Sequence, residues 1–153
     1  MKTAIITGGA EGLGADIALL LSEKGYRVGL LDIRADLVHE TAKAIPNSIG
    51  LVADVTQAEQ VADAFAAFGE TPDLLVNNAG ILRDRSFRKM TLDDWDIVMN
   101  VHMNGTAYVT HAAWQVMYEK NYGRIVCTSS GSGIWGNFGQ ANYGAAKTAM
   151  VGF

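Results

Sequence analysis

The sequence predicts an α/β protein built on a doubly wound parallel sheet, and three observations carry that prediction. Short aliphatic, β-branched runs alternate with amphipathic stretches of helical spacing, the pattern of a parallel sheet covered by helices on both faces. A glycine-rich turn joins the first such run to the first helical stretch. Polar residues also follow the ends of the later runs, where open α/β sheets bind ligands.

Strands are expected near 2–7, 26–32, 48–53, 73–77 and 123–129. Helices are expected near 12–24, 35–45, 57–68, 92–120 and from 141 onward. Thr56-Gln57-Ala58-Glu59 and Thr91-Leu92-Asp93-Asp94 have the spacing of a capping box at two helix starts. Gly25 after Lys24, and Asn47 after Pro46, mark helix ends. No repeat or linker divides residues 1–153, which are read as one domain. The last helix carries no stop signal before Phe153, so the expectation is a chain truncated there. The alternative is a short gene product whose fifth strand is an open sheet edge.

Composition narrows the function classes. A formal charge of -4 argues against nucleic acid or an anionic membrane as the main partner. No apolar run is long enough to span a bilayer, and the N-terminal stretch is too short for a signal-peptide core. A cytoplasm-like reducing compartment is the expectation. The lone Cys127 excludes an internal disulfide and is expected to be packed inside. His39, His102 and His111 lack metal-ligand spacing, so no metal is expected.

The first strand runs into Thr7-Gly8-Gly9-Ala10-Glu11-Gly12-Leu13-Gly14. Gly8, Gly12 and Gly14 permit a tight turn, close approach to a pyrophosphate and close helix–strand packing. The helix that follows aims free N–H groups and its positive dipole end at the phosphates. Asp32, followed by Ile33, closes the second strand at the place where a carboxylate binds adenosine ribose hydroxyls. Asp32 and Glu11 together repel the extra phosphate of NADP. Arg34 softens that repulsion, but two acids against one base favour NAD. Asp54-Val55 after the third strand and Asn77-Asn78-Ala79-Gly80 after the fourth complete the expected cofactor set.

Tyr143 and Lys147 stand four apart in a helical stretch and face the same way. A free tyrosine titrates near 10 and is a poor base at neutral pH, while a nearby ammonium favours the phenolate. Tyr143 is thus a candidate proton acceptor from a substrate hydroxyl, and Lys147 a ligand for the nicotinamide ribose. Ser130, at the end of the fifth strand, is placed to hydrogen-bond the substrate oxygen.

These motifs resemble the short-chain dehydrogenase/reductase family: Thr-Gly-x-x-x-Gly-x-Gly at 7–14, Asn-Asn-Ala-Gly at 77–80, serine at 130 and Tyr-x-x-x-Lys at 143–147. The resemblance implies a Rossmann fold with strand order 3-2-1-4-5 and hydride transfer between NAD(P) and a CH–OH group. It also implies that residues 1–153 are one NAD-binding domain whose C-terminal substrate-binding part is absent, and a homodimer or homotetramer built through helices 92–120 and 141–153. One position departs. Where the family has an asparagine three residues ahead of a glycine, this chain has His102 before Gly105. His102 is either a polar substitute in the same proton path or a packed core histidine.

Segments 81–87, 101–102 and 136–143 are more narrowly similar to the 3-hydroxyacyl-CoA dehydrogenase domains of type 2 multifunctional enzymes, and also to 3-oxoacyl-carrier-protein reductases. The acids at 11 and 32 tilt the expectation to NAD and a 3-hydroxyacyl or 3-oxoacyl thioester, with acyl-CoA favoured as its form. An NADPH-dependent carrier-protein reductase is the alternative. Arg83, Arg85, Arg88 and Lys89 form a basic cluster read mainly as solvated charges, with CoA phosphates as the other reading. Trp95 and Trp114 read as helix packing, and Trp135 as a candidate pocket wall. Two non-catalytic readings remain: a module that binds NAD without turnover, and a structural subunit.

Overall fold

The computed structural model describes every residue, Met1–Phe153. The chain runs β1 (Lys2–Thr7), α1 (Gly12–Glu23), β2 (Tyr26–Asp32), α2 (Ala35–Ala44), β3 (Ser48–Val52), α3 (Ala58–Phe68) and β4 (Leu74–Asn77). It continues through α4 (Leu92–Met99), α5 (Gly105–Glu119), β5 (Arg124–Cys127), α6 (Gly131–Trp135) and α7 (Ala141–Gly152). The strands form one parallel sheet in the order β3-β2-β1-β4-β5, the Rossmann arrangement expected from the sequence.

Alternation along each strand splits the core between the two faces. Ile5, Leu31 and Leu75 point to the side covered by α3 and α5, where they meet Phe68, Val109 and Met117. Ile6, Leu30 and Val76 point to the side covered by α1 and α2, where they meet Ala18, Val38 and Ala42. Phe68 is wholly buried, and truncating such a side chain to alanine costs about 3–5 kcal/mol. The register carries the strand ends to one edge: Asp32 lies opposite Val52, and Asn77 opposite Cys127. The polar residues that follow each strand therefore collect on that edge.

Several boundaries differ from the sequence-based expectation. The helix expected over 92–120 is interrupted by a π-turn at Asn100–Asn104, although the backbone on either side stays right-handed helical. Thr91 and Asp94 form the expected reciprocal capping box. Thr56 and Glu59 do not: α3 begins after Gln57 with no side-chain cap, because Asp54 Oδ1 takes the Thr56 N–H and hydroxyl instead. The fifth strand ends at Cys127, short of 129, and Ser130 becomes the cap of the short helix α6, which the Gly-Ser-Gly sequence concealed. Gly25 and Asn47 occupy positive φ, 81° and 53°, as expected of helix-ending residues.

Candidate active site

The glycine turn between β1 and α1 is built by contact. A Cβ on Gly14 would stand 2.1 Å from the Gly8 carbonyl oxygen, so helix and turn meet backbone to backbone. Gly8 and Gly12 have φ of 64° and 54°, which suits glycine alone without strain. The capping position Glu11 makes no side-chain cap, so the leading N–H groups of α1 are left to a solvent or ligand anion.

Thr7 is buried, and its Oγ1 accepts the N–H groups of Asn78 and Ala79, each at 3.0 Å. Asn78 Nδ2 in turn donates to the Thr7 carbonyl at 3.1 Å. These bonds tie the exit of β4 to the glycine turn. A crevice of about 670 Å³ opens alongside. Eleven of the expected cofactor residues line it: Gly8, Glu11, Leu13, Gly14, Asp32, Ile33, Asp54, Val55, Asn78, Ala79 and Gly80. Thr7 and Gly12 do not line it; Thr7 acts through its bonds to the wall.

Asp32 is 5 % exposed at the end of β2. Burial pushes its carboxyl up, but hydrogen bonds from Arg34 and Ala10 outweigh this and leave it below the ordinary aspartate value. Arg34 pairs with Asp32 at 3.0 Å and with Glu11 at 2.5 Å, so one guanidinium bridges both acids. The electrostatic case read from the sequence, two acids against one base, is therefore weaker in the folded chain.

A second cluster lies on α6, α7 and the end of β5. Lys147 is buried and donates from Nζ to the Thr128 carbonyl at 2.6 Å, which pins α7 to the strand end. Its Nζ lies 5.7 Å from the centroid of the Tyr143 ring, one helical turn earlier. Burial depresses the lysine pKa, and Cys127 partly opposes that shift. Ser130 Oγ accepts the Ser132 N–H at 3.2 Å. Gly133 lets α6 pack directly on α7, since a Cβ there would lie 2.7 Å from the Lys147 carbonyl carbon.

His102 sits in the π-turn, 2 % exposed, against Gly80 on one side and Tyr143 on another. Burial lowers its pKa, the Ile81 backbone raises it, and Lys147 lowers it again; the net shift is downward. Its Nδ1 is buried and has no hydrogen-bond partner.

The family model for short chain dehydrogenase matches residues 2–153. The chain belongs to the short-chain dehydrogenase family. It is 43% identical to peroxisomal multifunctional enzyme type 2 of Drosophila melanogaster, over 99% of this chain and 27% of that one. It is 41% identical to acetoacetyl-CoA reductase of a Synechocystis species, over 99% of this chain and 62% of that one. The acetoacetyl-CoA reductase of Shinella zoogloeoides is 39% identical, with 64% of its length covered. The chain thus spans about a quarter of the multifunctional relative and under two thirds of the reductases.

Other residues of this short-chain dehydrogenase stand apart from the sequence reading. Asn142 is fully buried; its amide donates to the carbonyls of Arg83 at 3.1 Å and Asp94 at 2.8 Å, and its oxygen accepts the Tyr143 N–H. It fixes the start of α7, and only its place beside Tyr143 hinted at this. Ile81, Asn100 and Val101 line the crevice without having been singled out as cofactor residues. Within the basic cluster, Arg85 is paired with Asp94 at 2.8 Å and Arg83 lines the crevice, while Arg88 and Lys89 are exposed. Trp114 does not pack inside its helix as expected: it is 56% exposed on the outer face of α5. Cys127 is half-buried, not enclosed, because β5 is the outermost strand. No helix is long and apolar enough to cross a membrane.

Proposed function

We propose that this chain forms the dinucleotide-binding and proton-transfer part of an NAD-linked oxidoreductase interconverting a secondary alcohol and a ketone. The proposed substrate is a 3-hydroxyacyl or 3-oxoacyl thioester of coenzyme A. The observation that carries the reading is Lys147 anchored on Thr128 with Tyr143 one turn away on the same helix.

The crevice fits a dinucleotide: a turn closed to any Cβ at Gly14, an uncapped helix start, and an ionised carboxylate at the end of β2. Bound nicotinamide supplies the hydride acceptor in oxidation and the donor in reduction. Tyr143 takes the hydroxyl proton in oxidation and returns it in reduction. Ser130 accepts from Ser132 N–H, which leaves its own O–H proton to donate to the substrate oxygen. Lys147 spends one N–H on Thr128 and keeps two for a ribose hydroxyl and for charge developing at Tyr143. His102, in edge contact with Tyr143, is the positioning residue behind it.

Asp32 at the ribose position supports NAD over NADP. The names of the reductase relatives, which specify acetoacetyl-CoA, support a coenzyme A thioester over a carrier-protein substrate. The reading includes a cytoplasm-like reducing compartment and self-association through α4–α5 and α7, where Trp114, Tyr118 and Val151 are exposed. A second reading, dinucleotide binding without turnover, draws on the crevice lining, which omits Ser130, Tyr143 and Lys147.

A steady-state assay with NAD(H) and NADP(H), run in both directions on 3-hydroxyacyl- and 3-oxoacyl-CoA thioesters, the corresponding acyl carrier proteins, steroids and simple secondary alcohols, tests the proposal. Nucleotide affinity is measured separately. The expected result is thioester-dependent NAD reduction that falls on the order of 10²–10⁴-fold in Tyr143→Phe with NAD affinity unchanged. Tight NAD binding with no turnover on any substrate would favour the second reading. NADPH preference with carrier-protein substrates would replace the first.

A further inference from the structure

The carboxylate of Asp32 is fully occupied by its own chain. Oδ1 accepts the Arg34 backbone N–H at 3.1 Å and Arg34 Nε at 3.0 Å. Oδ2 accepts the Ala10 N–H at 3.2 Å and Arg34 Nη2 at 3.2 Å. An ionised carboxylate has about four lone-pair sites, so no acceptor remains for an incoming hydroxyl.

The four donors differ in mobility. The two backbone N–H groups are set by the glycine turn and by the start of α2, and the Ala10 carbonyl is itself held by Thr41 Oγ1 at 2.6 Å. The other two belong to a guanidinium whose side chain is 44% exposed and whose Nη1 rests on the exposed Glu11. Removing that guanidinium would free one lone pair on each carboxylate oxygen. Two adjacent hydroxyls of a ribose require that same pair of acceptors. The Arg34 fork presents two N–H groups to two oxygens, as a vicinal diol presents two O–H groups.

We propose that Arg34 is the specificity-determining residue of the ribose subsite, a tethered stand-in for the diol that must leave Asp32 before both ribose hydroxyls are held. This rests on the reading of the crevice as a dinucleotide site. Its consequence is a competition: each nucleotide binds against the Arg34–Asp32 pair, and ligands with both ribose hydroxyls regain most of what is displaced. A nucleotide lacking one hydroxyl calls on only one acceptor and displaces only one of the two Arg34 side-chain bonds, so it gains less when Arg34 is removed. The apolar, similarly long Arg34→Met side chain removes the competitor while leaving both backbone donors in place.

Affinities of the full chain for NAD, adenosine 5′-monophosphate and 2′-deoxyadenosine 5′-monophosphate are measured by titration calorimetry. The wild type, Arg34→Met, Asp32→Asn and the double variant are compared, with thermal unfolding as a check on the fold. Arg34→Met is expected to bind NAD and adenosine 5′-monophosphate several-fold more tightly, with a smaller gain for the 2′-deoxy nucleotide. The gain is expected to vanish in the Asp32→Asn background. Unchanged or weaker binding in Arg34→Met overturns the competition and makes Arg34 a bystander or a direct ligand contact. An equal gain for the deoxy nucleotide overturns the diol correspondence. If Asp32→Asn alone leaves all affinities unchanged, the ribose assignment itself fails, an outcome distinct from the others.

Discussion

The imidazole of His102 and the phenol of Tyr143 meet edge to face, with ring centroids 5.3 Å apart and planes at 83°. The contact joins the π-turn before α5 to α7, two elements that share no local sequence. His102 Nε2 lies 3.1 Å from the Ile81 N–H and 2.8 Å from the Ile81 carbonyl oxygen. It accepts from the first in one tautomer and donates to the second in the other, so either tautomer is satisfied there. The remaining nitrogen, Nδ1, is buried without a protein partner. Burial and the Lys147 charge keep the ring neutral near pH 7.

A neutral ring with one satisfied and one open nitrogen positions a neighbour; a ring present only to fill space needs neither nitrogen. His102→Phe retains the edge contact and loses both nitrogens, whereas His102→Asn retains polar capacity and loses the ring. The expected outcome is a fall in kcat of about tenfold or more in His102→Phe, with KM and NAD affinity little changed. His102→Asn is expected to keep more of the activity and to shift the pH profile of kcat. Wild-type kcat and pH profile in His102→Phe would reduce His102 to packing.

The parallel, helix-covered sheet was legible because two signals agreed, short β-rich runs and helical spacing between them, while the strand order came from the family resemblance. The glycine turn and Asp32 were legible because they stand at fixed places relative to β1 and β2. What the sequence hid was three-dimensional pairing. Nothing in Asn100-Val101-His102-Met103-Asn104 marks a π-turn, since all five residues are compatible with an ordinary helix. Arg34 stood out as a lone base, while its bond to Glu11 depends on a turn and a strand end 23 residues apart in sequence coming together. Trp114 looked like core because it is large and apolar, yet it projects from the outer face of α5. Asn142 passed unnoticed because its partners, Arg83 and Asp94, are remote in sequence.

Asp73 links three elements at the opposite end of the sheet. Its Oδ2 accepts the Thr3 N–H at 2.8 Å, and its Oδ1 receives Lys120 Nζ at 2.7 Å. The Lys120 hydrogen bond lowers its pKa, burial opposes this, and Thr3 lowers it further, leaving it below 3.8. A depressed carboxylate pKa stabilises the fold above the unfolded value, and the contribution is lost as pH falls through the folded value. Asp73→Asn is therefore expected to cost about 2 kcal/mol at pH 7. That difference should shrink as pH drops below 3.8, with both chains converging in strong acid. Urea unfolding of both proteins across this range is the measurement. A gap independent of pH would assign the loss to amide geometry and not to charge.

The glycine turn offers two substitutions that separate space from backbone strain. At Gly12 a Cβ would meet nothing within 4 Å, so Gly12→Ala is opposed only by its φ of 54°. Holding an L-residue in that region costs about 1–2 kcal/mol. At Gly14 the backbone is helical, but a Cβ would lie 2.1 Å from the Gly8 carbonyl oxygen and 2.9 Å from Asn78 Nδ2. Neither neighbour yields cheaply: one is backbone, and the other is held by the Thr7 carbonyl at 3.1 Å. Gly14→Ala must lift α1 off β1, at an expected cost on the order of 3 kcal/mol, the upper range for overpacking a tight contact. Because α1 carries the N–H groups aimed into the crevice, Gly14→Ala is also expected to weaken NAD binding far more than Gly12→Ala does. Thermal unfolding and NAD titration of the two variants decide the point. Equal losses in both would mean that strain in the turn, and not the approach of helix to strand, shapes this end of the site.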